Sequence, residues 1–343
     1  MVVYWHYIAN PLRVEGSIYL FYIKYAGALT WCGVDLFFVL SGFLIGGILL
    51  DNRNNKNYFR TFYIRRIFRI FPLYFLWLLL FYLITTFIPV ENNKVFNEPY
   101  PLWSYALFVQ NFFLNQNGFG SSWLAITWSL AIEEQFYLFL PFIIYYLKPR
   151  YFALLFVALI LSGPVARLMT EGLGSYVYTY CRLDSLMTGV LIAWLARKNG
   201  FISAIEKHKN ILWGFISGLL LSVIYSTYLL TQVGDVINHF VFALLFGLFI
   251  LSAITSHNSS YSSILSTKLF LWLGSRSFAI YLFHQAVIGL WHRAFGINGS
   301  EATNIEELPV VICAVITVMI LAEISYRFYE RPLIKFSHRF RYE

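Results

Sequence analysis

Apolar runs of about 17 to 25 residues, with few charges inside them, recur along this chain of 343 residues. A helix of about 20 residues crosses the roughly 30 Å hydrocarbon core of a bilayer, so these runs predict membrane-spanning helices. Only 12% of the residues are charged and 59% are hydrophobic, whereas about 25% are charged in an ordinary soluble domain. The sequence therefore predicts an all-α, polytopic integral membrane protein and excludes a water-soluble globule.

Nine of the apolar runs are long enough to span, and a short apolar stub at residues 1–9 looks like a helix whose first half is missing. A further apolar segment at 101–114 has the length of a re-entrant or interfacial segment. No hydrophilic stretch is as long as a soluble domain, so we expect a single transmembrane domain over 1–343 with no appended soluble domain. The nine runs lie at 33–50, 72–88, 124–147, 151–170, 179–196, 210–230, 236–255, 269–291 and 308–328.

The distribution of basic residues decides how 101–114 is counted. The chain has a formal net charge of +8. If 101–114 does not span, the loops on one side of the membrane carry 19 of the 25 lysines and arginines. Because cytoplasmic loops carry the excess of Lys and Arg, we expect about ten transmembrane helices with both termini cytoplasmic. Topology accounts for the basic excess, so no nucleic-acid partner is expected.

Ionisable side chains inside the predicted spans are candidates for function, since each costs roughly 2.5 to 3.5 kcal/mol to insert. Glu133 and Glu134 are the most informative pair, because adjacent helical residues point about 100° apart and at least one must face the bundle interior. Three cysteines without Cys-x-x-Cys or Cys/His spacing indicate neither a disulfide framework nor a metal site. The candidates are His6, Asp35, Glu133, Glu134, Arg167, Arg182, Asp184, His284 and Glu323.

Several of these candidates also have ordinary structural interpretations. Arg182 and Asp184 lie two apart and face different directions, so each can pair with another helix and hold the bundle together. Asp35 can be a carboxylate at a helix start, and His284 a packed polar residue. His6 differs, because imidazole can act as base and acid near neutral pH. The remaining histidines lie in or beside loops, where we expect them to be solvated: His208, His239, His257, His292 and His338.

An arginine cluster precedes the span at 72–88. Arg65 and Arg69 share a helix face, and Arg66 borders it. Such a cluster can anchor the protein to anionic lipid head groups. It can equally bind phosphate, because guanidinium groups form paired hydrogen bonds with phosphate oxygens. Composition favours neither interpretation.

Six stretches of the sequence resemble motifs of the membrane acyltransferase-3 family, the bacterial envelope O-acyltransferases. Residues 33–45 resemble that family's second-helix motif and 65–74 its cytoplasmic arginine motif. Residues 127–137 match its Trp-Ser-Leu-x-x-Glu-Glu-Gln-Phe-Tyr signature. Further similarities lie at 182–189, 273–284 and 326–332. Each motif alone is a modest apolar pattern, but six in the same order along nearly the whole chain are specific.

The resemblance implies a ten-helix domain in the bacterial cytoplasmic (inner) membrane. Members take an acyl group, most often acetyl, from cytoplasmic acyl-CoA and place it on a hydroxyl of an extracytoplasmic or lipid-linked glycan, such as O-antigen or exopolysaccharide. The expected partners are therefore acyl-CoA, a glycan or lipid-linked sugar and the bilayer. Acyl-CoA is a donor substrate, and no bound cofactor or metal is expected.

The resemblance also assigns roles to residues. His6 aligns with the family's first-helix histidine and is expected to be catalytic, oriented by Glu133 or Asp35. The family's first-helix arginine, which ten residues separate from this histidine, would lie before Met1, and this raises the alternative of an inactive truncated remnant. The arginine cluster Arg65, Arg66 and Arg69 is expected to bind acyl-CoA phosphates. Glu134, Arg182, Asp184 and His284 are expected to shape the cavity or acceptor site.

A membrane transporter is the competing class, because it also needs a polar path through a helix bundle. Transporters often contain inverted repeats and paired broken helices. The sequence shows neither feature, and dependence on acyl-CoA would separate the two classes.

Overall fold

The computed structural model describes residues 1–12, 18–88, 94–229, 234–255, 260–296 and 307–343. Of the residues that the structure describes, 81% are helical, and none of them lies in a strand. A helix satisfies its backbone N–H and C=O groups internally, which is why apolar segments in a bilayer fold this way. The all-α prediction is confirmed.

The helices follow the apolar runs closely. In chain order they are α1 (Val2–Tyr4, continued by a π-helical turn Trp5–Ala9), α2 (Ile18–Ala26), α3 (Gly33–Asp51), α4 (Tyr58–Phe87), α5 (Leu102–Ala106), α6 (Leu114–Asn117), α7 (Thr127–Tyr146), α8 (Phe152–Leu168), α9 (Gly174–Val177), α10 (Leu183–Leu195), α11 (Phe201–Lys207), α12 (Lys209–Leu229), α13 (Gly234–Thr255), α14 (Ser260–Leu265), α15 (Lys268–Ala294), α16 (Leu308–Ser325) and α17 (Arg331–Ser337).

Six helices of the described chain are long and apolar enough to cross a membrane. Three further predicted spans fall on α7, α10 and α15. With 13 residues, α10 is about 20 Å long, shorter than the bilayer core. Polar side chains such as Glu133 and His284 lower the hydropathy of α7 and α15. The count of ten and the orientation of the termini stay predictions. The six are Phe21–Asp51, Tyr58–Phe87, Pro149–Leu168, Lys209–Ser226, Val236–Thr255 and Leu308–Ser337.

The chain divides into two compact units. The first unit comprises Met1–Gly33, Phe59–Leu130 and Leu271–Arg341, and the second comprises Val34–Tyr58, Ala131–Phe270 and Tyr342–Glu343. The expectation of a single transmembrane domain over 1–343 stays a prediction.

In the first unit, the segment predicted to be re-entrant or interfacial breaks into short helical turns, none longer than five residues. Aromatic contacts hold it against α4. The Phe108 ring stacks on Tyr74 at 4.5 Å between centroids, and the Tyr74 hydroxyl donates to the Tyr105 carbonyl at 2.9 Å. Phe108 has a φ of 55°, a conformation uncommon outside glycine. The position of the segment 101–114 relative to the bilayer stays a prediction.

In the second unit, glycines let α3 and α10 approach closely. A Cβ atom on Gly189 would lie 2.0 Å from the Val39 carbonyl oxygen, and one on Gly42 would lie 1.9 Å from that of Leu186. Small residues at helix contacts are typical of membrane bundles, where association depends on close packing. This contact places the start of α10, with its ionisable residues, beside the start of α3.

Candidate active site

His6 lies in the first unit, in the π-helical turn Trp5–Ala9. The stub at the start of the chain is therefore helical, as predicted. Single π-helical turns occur often at functional sites, because the wider turn re-aims side chains. No pattern in the sequence indicates this turn.

Two consecutive residues of α15 lie beside His6. The Gln285 amide nitrogen is 2.9 Å from His6 Nδ1 and 3.2 Å from His6 Nε2. The His284 ring centroid is 5.3 Å from that of His6. The structure thus brings together the predicted residues His6 and His284 and adds Gln285, which the sequence reasoning missed. Its position directly after His284 was the available signal.

The orientation of His284 is fixed by the backbone. Its Nδ1 atom lies 2.6 Å from the Tyr281 carbonyl oxygen, which can only accept, so Nδ1 carries the proton and Nε2 is an acceptor. The His284 carbonyl in turn accepts a hydrogen bond from the Tyr7 hydroxyl at 2.6 Å. His284 is fully buried, and no described residue donates to its Nε2. A buried proton acceptor therefore lies next to His6.

A second polar cluster lies in the second unit, around Asp35. The Asp35 carboxylate accepts from Arg182 Nη1 and from the Ser185 hydroxyl, each at 3.1 Å. His239 Nδ1 lies 3.1 Å from its other oxygen. Arg182 also donates to the Tyr176 carbonyl at 2.7 Å and lies over the Tyr176 ring. All the charged groups of this cluster are buried, so charge pairing compensates their desolvation.

Two histidines correct the expectation of solvated loop positions: His292 lies on α15 and is half-buried, and His239 departs from it further, while His257 lies outside the described residues. We expected His239 to be a solvated loop histidine, but it is 5% exposed and lies on α13 beside Asp35. Because α13 begins at Gly234, His239 is already more than one turn inside the helix, on the face that packs inward. The carboxylate partner comes from a distant part of the chain, so the pairing could not be read from local sequence.

Arg182 and Asp184 have separate partners, as their spacing predicted. Asp184 pairs with Arg167 at 2.6 Å, and both side chains are buried. Arg167 also donates to the carbonyls of Cys181 and Val236, at 2.5 and 3.0 Å. This network has the geometry of interhelical ion pairs, and the predicted cavity role of Arg182 and Asp184 stays a prediction.

Glu133 is buried, whereas Glu134 is half-buried. Tyr137, one turn further along α7, donates its hydroxyl to Glu133 at 3.0 Å and shares a hydrogen bond with Ser41 at 2.5 Å. Glu133 thus faces the interior of the second unit. Orientation of His6 by Glu133 or Asp35 stays a prediction.

The arginine cluster lies in the first unit on α4, before Pro72. Arg65 donates from Nε to the Phe340 carbonyl at 3.0 Å, and Arg60 lies over the Phe340 ring. Arg69 is exposed, whereas Arg65 and Arg66 are half-buried. A helix of 30 residues is about 45 Å long, so the first turns of α4 can extend beyond a bilayer core. The binding of acyl-CoA by this cluster stays a prediction.

Comparison with known proteins gives the family. The family model described as "Acyltransferase domain" matches residues 1–324. The chain belongs to the acyltransferase-3 family. This confirms the resemblance seen in the six motifs.

Curated relatives of this acyltransferase-3 chain are found in Staphylococcus aureus. The protein named O-acetyltransferase OatA, from strains NCTC 8325 / PS 47 and COL, is 31% identical over 326 residues. The alignment covers 88% of this chain and 52% of that protein. SACOL0978 of strain COL is 29% identical with the same coverage. The chain thus spans about half the length of the curated relatives it matches. No solved structure matches significantly.

Proposed function

We propose that this chain is a membrane O-acyltransferase that moves an acyl group, with acetyl the first to test, from cytoplasmic acyl-CoA to a hydroxyl of an extracytoplasmic or lipid-linked glycan. Membership of the acyltransferase-3 family supports the reaction class, and relatives named O-acetyltransferase support acetyl as the group. O-antigen and exopolysaccharide are the glycan classes to test first.

The observation that carries the proposal is the group of His6, His284 and Gln285 in the first unit. His284 Nε2 and Gln285 Oε1 are buried acceptors to which no described residue donates. Together with His6 they provide atoms that accept hydrogen bonds, which is the complement of a hydroxyl donor. A histidine at hydrogen-bond distance from the reacting hydroxyl can act as its general base.

His6 can take part in acyl transfer by two routes. In direct transfer, His6 takes the hydroxyl proton while the oxygen attacks the thioester carbonyl, the carbon–sulfur bond breaks, and the proton passes to the departing thiolate. In a relay, a His6 ring nitrogen first attacks the thioester carbonyl and receives the acyl group as the carbon–sulfur bond breaks; the hydroxyl then displaces the histidine, and the hydroxyl proton passes through the imidazole to the CoA thiolate. Either route requires His6 to begin as a neutral imidazole.

The arginine cluster supports acyl-CoA as the donor substrate. CoA carries a diphosphate and a 3'-phosphate, and guanidinium groups bind phosphate oxygens with paired, charge-assisted hydrogen bonds. Three arginines on one region of α4, of which Arg69 is exposed, match that distribution of charge.

The test is chemical and uses a matched control. Wild-type protein, His6→Ala and His208→Ala are expressed in a host that lacks its own O-acetyltransferase, and alkali-labile acetate on the isolated surface glycans is quantified. We expect ester acetate with wild-type protein and with His208→Ala, because His208 is exposed between α11 and α12. We expect a fall of about 100-fold or more for His6→Ala, the usual contribution of a general base.

Full acetylation by His6→Ala at equal membrane expression would refute the catalytic role of His6. Absence of ester with wild-type protein, together with transport that does not depend on acyl-CoA, would favour the transporter instead.

A further inference from the structure

Gln285 is a polar side chain of α15 that contacts His6. The family motifs do not indicate this contact. Its amide nitrogen lies 2.9 Å from His6 Nδ1 and 3.2 Å from Nε2. We propose that Gln285 is the positioning residue of His6, a neutral partner that pairs with the imidazole both before and after it takes up a proton. The inference rests on the proposed function, since it assigns how His6 is held during transfer.

An amide can do this because it both donates and accepts. Neutral imidazole has one ring nitrogen without hydrogen, which accepts from the amide N–H. Imidazolium has hydrogen on both nitrogens, so its partner must offer an oxygen. Rotation of the amide by 180° exchanges its oxygen and nitrogen, which are nearly equivalent in shape. Gln285 can therefore follow His6 through both protonation states.

The amide oxygen is available for that exchange. Gln285 Oε1 is buried, and no described residue donates to it. The rotation replaces the bond from the amide N–H with a bond to the amide oxygen, and the second bond is stronger because a cation donates it. This gain opposes the cost of forming a cation at a half-buried position.

A carboxylate would act differently. Aspartate or glutamate can only accept when ionised, and its charge would stabilise the imidazolium and keep His6 protonated. Among the described residues of this unit, the titratable groups that face the pair are the His284 imidazole, the Met1 amino group and the Tyr7 phenol. These groups are neutral or cationic, so the uncharged amide leaves His6 free to act as a base.

Two variants separate positioning from packing. Gln285→Glu keeps the shape and adds a charge, whereas Gln285→Met keeps the approximate volume and removes both hydrogen-bonding atoms. Gln110→Glu is the matched control, because Gln110 is a buried amide of the same unit that donates to the Thr127 carbonyl at 2.9 Å.

Each purified protein is treated with diethyl pyrocarbonate, which acylates neutral imidazole, and modification of the His6 peptide is followed by mass spectrometry across pH. We expect the half-point pH of His6 modification to rise by about one unit or more in Gln285→Glu, as for a cation near a carboxylate. It stays at the wild-type value in Gln110→Glu. Acetyl transfer by Gln285→Met falls about 100-fold, the usual effect of misplacing a catalytic group.

An unchanged His6 half-point in Gln285→Glu, or wild-type transfer by Gln285→Met, would overturn the inference. If the wild-type protein transfers no acetyl group at all, the proposed function fails, and the pyrocarbonate half-point still decides whether Gln285 and His6 are paired.

Discussion

Glu98 shows how a single residue outside the spans links sequence to stability. Its carboxylate accepts hydrogen bonds from the Ser121 backbone N–H at 3.0 Å and hydroxyl at 2.9 Å, and from the Tyr100 N–H at 3.2 Å. These bonds favour the charged form, but burial outweighs them and raises the pKa of Glu98 above its ordinary value. The folded protein therefore holds the proton more tightly than the unfolded chain.

This shift gives a pH-dependent prediction with a fixed sign. A raised pKa contributes stability that is present below about pH 4.5 and is lost as pH rises through the pKa of folded Glu98. We expect Glu98→Gln, which cannot ionise, to lose less thermal stability than wild-type protein between pH 4.5 and pH 7.5. The measurement is the unfolding midpoint in detergent at fixed scan rate. Glu206→Gln, an exposed site on α11, should behave like wild type, and an unchanged pH slope in Glu98→Gln would contradict the account.

The Asp35–Arg182 pair gives a second prediction at the residue scale. Asp35→Asn leaves the Arg182 cation buried without its full counter-charge, which costs about 3 to 5 kcal/mol in the free energy of unfolding. The control is Asp51→Asn, because the Asp51–Arg197 pair is partly exposed and exposed pairs contribute at most about 1 kcal/mol. Denaturant unfolding in mixed micelles measures both.

The same variants distinguish structure from chemistry. If Asp35 mainly holds the helices together, Asp35→Asn should lose stability, and the protein that remains folded should keep its transfer rate. Wild-type stability with abolished transfer would instead assign Asp35 the catalytic role that the family resemblance suggested.

At the scale of elements, the contact between α3 and α10 depends on glycine. A Cβ on Gly189 would lie 2.0 Å from the Val39 carbonyl oxygen, so Gly189→Ala must push the two helices apart. We expect a large loss of folded protein, with overpacking costing about 1 to 3 kcal/mol or more. Gly214→Ala on α12 is the control, since nothing lies within 4 Å of a Cβ there. It should be neutral or stabilise the helix by about 0.5 to 1 kcal/mol. Equal detergent-resistant yields of the two variants would contradict this packing.

The elements also show what sequence could and could not predict. Apolar length located the long helices, because the bilayer imposes that length on any spanning segment. It did not predict the π-helical turn at His6, the burial of His239 or the pairing of Gln285. The burial of His239 beside Asp35 and the pairing of Gln285 with His6 both depend on contacts between distant parts of the chain. Local pattern therefore identified several site residues but not their partners.

At the scale of the whole molecule, the positive-inside rule and the arginine cluster make one joint prediction about sidedness. The rule places the start of α4 on the cytoplasmic face, and the proposed function requires acyl-CoA to bind there. We therefore expect labelled acetyl-CoA supplied from outside to drive transfer in inverted membrane vesicles and not in right-side-out vesicles of equal protein content.

The arginine cluster should set the affinity for that donor. Arg69→Gln removes a guanidinium that can pair with phosphate, so we expect the KM for acetyl-CoA in inverted vesicles to rise about tenfold or more, with kcat nearly unchanged, as for a group that binds donor and transition state equally. Arg150→Gln, an exposed arginine after α7, should leave KM within about twofold of wild type and controls for the general loss of surface charge. Donor use from the opposite face, or equal KM values for the two variants, would refute this assignment of the cluster.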